Sequence, residues 1–515
     1  MRGFPVISGG AVALSLLALP AGGETPASPD EPISAIDWLS ESLSRPAPRS
    51  QIETPVTHGI VTEPISVRPL DSASPDGVGL LSRSVTGLPA GLWGSSDLET
   101  LVRLIADFPV EPLPAVQEQF RRIMLAELDP PLESTKRAPL LQARTDALLA
   151  RGAVEEADAL LERVASDEPL LFRRAFDVAL LTGREQSGCA RMRAVPGLSP
   201  SLPVRIFCLA RTGDWNAAAL TLESAKALGQ LSQEEDTLLA QFLDPELAEM
   251  LPPATAPSRP SPLTFRMFEA IGTPIPTASL PLAFAHSDLR PTAGWKARTE
   301  AAERLARAGA VPPEFLIAVY GERAPAASGG VWDRVAAVQA LEMAIEAGDG
   351  TKIAATLPKA WEVMRRAHLA VPFARAFGAR LVAAGGEPAG LVLRLGLLSD
   401  DAGAIALTAT PADADEAFFV AIARGGPAKA PPGQLGEAIA TAFASESPAL
   451  PAELERLSGE RRQGEALLIA LKSLAPGVEA DPKDIAGALA FLRRCGLEET
   501  AREAALQILI LGRDA

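Results

Sequence analysis

An all-α fold is what this sequence predicts, and three observations carry the prediction. From about Leu98 onward, apolar residues recur at the 3.6-residue period of a helix. Aromatic residues make up only 5% of the 515, with a single tyrosine, Tyr320, whereas sheets fill their pleats with aromatic and β-branched side chains. Three consecutive segments also superpose on a glycine, from Gly152 to Gly183 (31 residues) and from Gly183 to Gly213 (30 residues). With 47% hydrophobic and 22% charged residues the chain has enough apolar material for a sizeable core. Acids outnumber bases 64 to 48, which disfavours nucleic acid and anionic lipid as partners.

Residues 1–23 have the layout of a secretory signal peptide. Arg2 precedes an apolar run from Ala11 to Leu19, which closes on small residues at Ala21, Gly22 and Gly23. The run falls short of the roughly 20 residues a membrane span needs, and no later stretch reaches that length, so no integral span is expected. Eight lysines against forty arginines, with a single asparagine (Asn216), point to GC-rich bacterial coding. The expected address is the periplasm.

Residues 24–95 are rich in Pro, Ser, Thr and Gly and are expected to be extended or disordered, since prolines at this density continue neither helices nor interior strands. Two apolar islands interrupt them. One, from Ile33 to Leu43, places Trp38 and Leu39 on an amphipathic stretch, and these two are candidate partner-binding residues. The other, from Leu80 to Trp93, is extended in character and bounded by glycines.

Residues 96–250 read as a first helical array. Leu98, Leu101, Val102 and Ile105 share one face, and Val116, Phe120, Ile123 and Met124 the next. In the three glycine-aligned segments, Leu141, Phe172 and Leu202 stand eleven residues before the glycine. Ala157, Gly188 and Ala218 stand five after it, and Leu161, Met192 and Leu222 nine after it. The glycine supplies a left-handed turn, the small residue lets two helices approach, and the large residues fill the seam. The pattern returns at Gly496 and Ala501. It resembles the tetratricopeptide (TPR-like) helical-hairpin repeat, with a period a few residues short, best over residues 138–230. The resemblance implies an α-solenoid whose concave groove takes an extended peptide or a partner helix. Grooves of that family that clamp a peptide carboxylate use Lys and Asn, and one asparagine does not furnish that set. Strings such as Trp38-Leu-Ser40 and Thr86-Gly-Leu-Pro-Ala-Gly-Leu-Trp93 also resemble an uncharacterised bacterial envelope protein family, which implies no activity.

Residues 251–294 begin with five prolines in twelve residues and are expected to be a linker. Residues 295–515 read as a second array of less regular hairpins, turning at Gly348, Gly385-Gly386 and Gly425-Gly426 and closing with a helix from Leu497 to Leu511.

The cysteines permit one pairing by position. Cys189 falls in the second helix of one hairpin and Cys208 in the first of the next, ten and nine residues from a turn near Ser199, so they stand level on antiparallel neighbours. An exported protein would join them in a disulfide and leave Cys495 as a small buried residue.

Residues that could carry chemistry are scattered. The chain has no serine nucleophile elbow, phosphate loop, HExxH helix or CxxC pair. Gly77-Val-Gly79 lacks the strand and helix a dinucleotide fingerprint needs. The acids Asp413, Asp415 and Glu416 suit a helix start better than a cation, and Asp333 would repel an anion from the Gly329-Gly330 turn. His286 and His368 have no partner at useful spacing. Some periplasmic lytic transglycosylases pair a helical superhelix with a catalytic Glu-Ser, but Glu446-Ser447 leads into Pro-Ala-Leu-Pro instead. No catalytic, metal or cofactor residues are expected. The expected function is a non-catalytic periplasmic scaffold or adaptor binding a protein or peptide partner. The alternatives are an enzyme or enzyme-regulating module of cell-wall metabolism and a passive structural envelope protein.

Overall fold

The computed structural model describes residues 74–513, apart from Lys136, 165–167, 245, 247–252, 427–432 and 445–448. The chain divides into two units, Met1–Arg68 and Pro69–Ala515, and all that is described belongs to the second. The signal peptide, Trp38 and Leu39 lie outside the described residues, as does Glu446-Ser447. Among the described residues the protein is all-α, with one isolated parallel bridge between Leu81 and Ala126. No described helix is long and apolar enough to cross a membrane.

The first helices are α1 (Leu98–Ala106), α2 (Pro114–Leu125), α3 (Pro139–Ala150), α4 (Val154–Val164), α5 (Pro169–Thr182), α6 (Glu185–Ala194), α7 (Leu202–Arg211), α8 (Trp215–Ala227) and α9 (Gln233–Leu243). Asp97 caps α1 by accepting from the Thr100 amide, and Ser232 with Glu235 forms a capping box on α9. Proline opens α2, α3 and α5, where its missing N–H costs no helical bond. Gly152, Gly183 and Gly213 sit at the α3–α4, α5–α6 and α7–α8 turns with φ of 74°, 75° and 88°. Five residues on, Ala157 and Ala218 are fully buried, and a Cβ on Gly188 would stand 2.6 Å from the Phe176 ring. Cys189 on α6 and Cys208 on α7 are joined, their Cα atoms 5.1 Å apart. Cys495 is free and half-buried, and burial pushes its thiol up to about 11.

The stretch 251–294, expected as a linker, is built into the body instead. It holds α10 (Pro262–Ala270) and a 3₁₀ segment (Leu282–Leu289), which bury Leu263, Phe265, Met267, Phe268 and Phe284. α10 packs on α5, and the 3₁₀ segment packs on α3, α5 and α11 (Trp295–Arg307). His286 comes from this segment and brings Nε2 to within 2.6 Å of the Gly152 carbonyl; burial lowers its pKa. The prolines here punctuate packed pieces rather than spacing two domains.

The second half runs through α12 (Pro313–Gly321), α13 (Val331–Glu346), α14 (Gly350–Arg366), α15 (Ala370–Ala383), α16 (Ala389–Leu397), α17 (Ala402–Thr408) and α18 (Ala414–Ala423). It ends with α19 (Gln434–Phe443), α20 (Ala452–Gly459), α21 (Gln463–Leu474), α22 (Pro482–Arg494) and α23 (Glu498–Arg513). Gly309, Gly348, Gly385, Gly425 and Gly496 all have positive φ at helix ends, and His368 joins them at 57° between α14 and α15.

The succession of helices then closes on itself. In an open solenoid each hairpin meets only its neighbours, but here α23 packs on α2, and α21 packs on α1 and α2. The Ala115 amide donates to Gln507 Oε1 at 2.8 Å, and the Thr500 hydroxyl to Gln119 Oε1 at 3.0 Å. One large apolar core consequently runs from Leu88 to Ile510, with satellite clusters around α5–α10 and around Leu282, Ala285, Ala301, Leu305 and Ala308.

Residues 74–95 belong to this closure, although the sequence places them in an extended or disordered segment. Trp93 is buried against Gly464, whose amide donates to the Leu92 carbonyl at 2.8 Å. Backbone crowding accounts for Gly79, where a Cβ would stand 2.2 Å from the Glu127 nitrogen. Arg144, 1% exposed, secures the other end. Its Nε donates to the Met124 carbonyl (2.8 Å), Nη1 to those of Asp76 (3.1 Å) and Val78 (2.8 Å), and Nη2 to that of Ala126 (2.9 Å). The Asp76 carboxylate accepts the Leu141 amide at 2.7 Å. Burial lowers the Arg144 pKa to about 10, against the attraction of Asp76.

Candidate functional site: a central polar cavity

Closure brings several helix starts around one cavity of about 480 Å³. α2, α12, α15 and α23 contribute their first turns, and Glu156 comes from the first turn of α4. The first turn of a helix is its positive end, and acids occupy that turn in α4 and α23.

The cavity has two unlike sides, set by α2. On one flank Gln117 abuts Gly309, whose Cβ would fall 2.7 Å from Gln117 Nε2; Arg307 lies beside that turn. Arg121 bridges Glu118 (3.2 Å) and Glu156 (3.0 Å). Arg122 donates to the Val85 carbonyl at 2.7 Å. Arg122 and Arg307 have no carboxylate partner among the described residues, and Arg307 Nε is buried without an acceptor. On the other flank Gln119 meets Thr500, and Arg375 binds Asp400 (3.0 Å) and Glu503 (3.6 Å). Burial, then the neighbouring carboxylates Glu499, Asp400 and Glu118, push the Glu503 carboxyl up to about 7 against the pull of Arg375. Glu499 is exposed and has no cation partner among the described residues. Gln117 and Gln119 are both buried, yet Gln117 Oε1 and Gln119 Nε2 make no hydrogen bond. Both side chains line the cavity, but these two atoms have almost no accessible surface of their own and face the packed wall rather than the open space.

Comparison with protein-family models, with curated proteins and with solved structures finds no match. The site therefore rests on its own geometry.

The residues singled out from sequence do not converge here. Gly152, Ala157, Gly183, Gly188, Gly213, Ala218, Gly496 and Ala501 lie at hairpin turns and seams, and Cys189 with Cys208 cross-links α6 to α7. Asp413 accepts the Glu416 amide at 2.8 Å as a helix cap, and Glu416 accepts that of Ala412 at 2.7 Å. Asp333 accepts the Gly329 amide at 2.9 Å, filling that loop with the chain's own acid. Sequence reasoning missed Gln117, Gln119, Arg307, Arg375 and Glu503. The one local signal was proline at the starts of α2, α12 and α15 (Pro114, Pro313, Pro372), and it carries no information on which starts meet.

Proposed function

We propose that this protein is a non-catalytic, exported helical-repeat scaffold or adaptor of the periplasm, with TPR-like hairpins over residues 138–230, and that it binds a protein or peptide partner in the cell envelope. One observation carries the reading. The cavity is lined by guanidinium and carboxylate groups, of which Arg307 and Glu499 have no partner of opposite charge among the described residues, while the hydroxyl of Thr500 is already committed to Gln119. Such an assembly holds a ligand by charge and hydrogen bonds; an activated nucleophile would need a base within reach. Export is supported by the Arg2 to Gly23 layout and agrees with the Cys189–Cys208 bond.

A second reading, an enzyme of cell-wall metabolism, draws on Glu503 alone. A carboxyl near 7 is poised as a general acid or base. Crosslinking in the periplasm, identification of the partner, and titration of purified partner with the full chain decide between them. The adaptor reading expects Glu503→Gln to act, if at all, through partner affinity. A variant that folds and binds its partner as before yet abolishes function establishes the enzyme instead.

A further inference from the structure

We propose that the central cavity binds a short zwitterionic peptide, its ammonium end on the α23 side and its carboxylate end on the α2–α11 side. This rests on the partner-binding reading and names the chemistry of the ligand.

Charge separation across α2 is the first argument. On the α23 side, Asp400, Glu499 and Glu503 face a single cation, Arg375, whose two contacts are spent within that set. On the other side Arg121, Arg122 and Arg307 face Glu156 and, through Arg121, Glu118, which also neighbours Glu503. Among the described residues that leaves Glu499 on one side and Arg122 and Arg307 on the other without a partner of opposite charge, Arg122 being spent on the Val85 carbonyl. A ligand of one sign would satisfy one side and be repelled by the other. A ligand with an ammonium at one end and a carboxylate at the other satisfies both.

Size is the second argument. A cavity of about 480 Å³ lies within the range that encloses small ligands, and three extended residues span roughly 10 Å.

Calorimetric titration of the full chain at low salt with trialanine, N-acetyl-trialanine and trialanine amide tests this. Trialanine is expected to bind one to one, and blocking either end to weaken binding at least tenfold. Glu499→Gln should lower trialanine affinity and shrink the penalty of acetylation. Arg307→Gln should do the same for the amide. Among the described residues neither side chain has a charged partner, so circular dichroism and melting should stay close to the parent. Absence of binding at millimolar trialanine, equal affinity for the blocked forms, or indifference to both variants overturns the proposal. If the purified envelope partner binds the doubly substituted protein as tightly as the parent, the adaptor reading stands and the cavity assignment falls.

Discussion

Replacing Arg144 by methionine keeps the aliphatic stem and removes a guanidinium that holds four backbone carbonyls at 2.8–3.1 Å. Each carbonyl left without a donor in the core costs about 1–3 kcal/mol, which would sum to far more than is observed for any one residue. Two effects oppose it: the arginine no longer has to be dehydrated, and the carbonyls can shift toward other donors. Breaking a buried charged contact by removing one partner destabilises by about 3–5 kcal/mol, and Arg144→Met is expected within that range. Asp76→Asn is the control. An amide oxygen can still accept from Leu141, so about 1 kcal/mol is expected there. Urea melts give the global value, and amide exchange locates it. Residues 76–81 and 124–126 should lose protection together, because the same side chain ties both. A loss under about 1 kcal/mol, with exchange at 76–81 unchanged, would refute the claim that Arg144 anchors the segment.

Substituting Cys189 and Cys208 by serine should cost about 3 kcal/mol in the chain-entropy account for two cysteines 19 positions apart, read from melts with and without reductant. Gly464→Ala sets a methyl 2.6 Å from the Trp93 ring and 3.0 Å from the Leu92 carbonyl; it should cost roughly 1–3 kcal/mol and expose residues 74–95 to limited proteolysis. Glu503 holds its proton to about 7 in the fold against the usual 4.5, so its contribution favours folding at low pH and is lost as pH rises from 4.5 through 7. Glu503→Gln should therefore match the parent near pH 4 and exceed it above pH 7. The full shift corresponds to about 3 kcal/mol. Partial exposure, 28% of the side chain, and the lost Arg375 contact cut the expected gain to roughly 1 kcal/mol.

Local order was legible in the chain. Helical period, glycine turns and the level placement of Cys189 and Cys208 depend on residues within two helices of each other, and that is the range over which spacing carries meaning. Prolines misled in 251–294, where Pro262 opens a helix that buries Leu263, Phe265, Met267 and Phe268. The closure was invisible for a different reason. Gln119 and Thr500 are 381 residues apart, Ala115 and Gln507 are 392, and taken singly each glutamine reads as part of a solvated helix face. The cavity inherits that invisibility, because its polarity exists only after α2 and α23 meet.

Closure also bears on how the protein is made. A ribosome delivers α1 and α2 long before α21 and α23, so the groups that receive Ala115, Gln119 and Trp93 do not yet exist when those residues emerge. Contacts this far apart in sequence are slow to form and leave apolar surface exposed in the interval. The nascent chain must keep Leu92, Trp93 and Leu101 from wrong partners until the residues of α21–α23 arrive. Removing those residues would unmake the first helices as well as the last, where an open array would lose only its end.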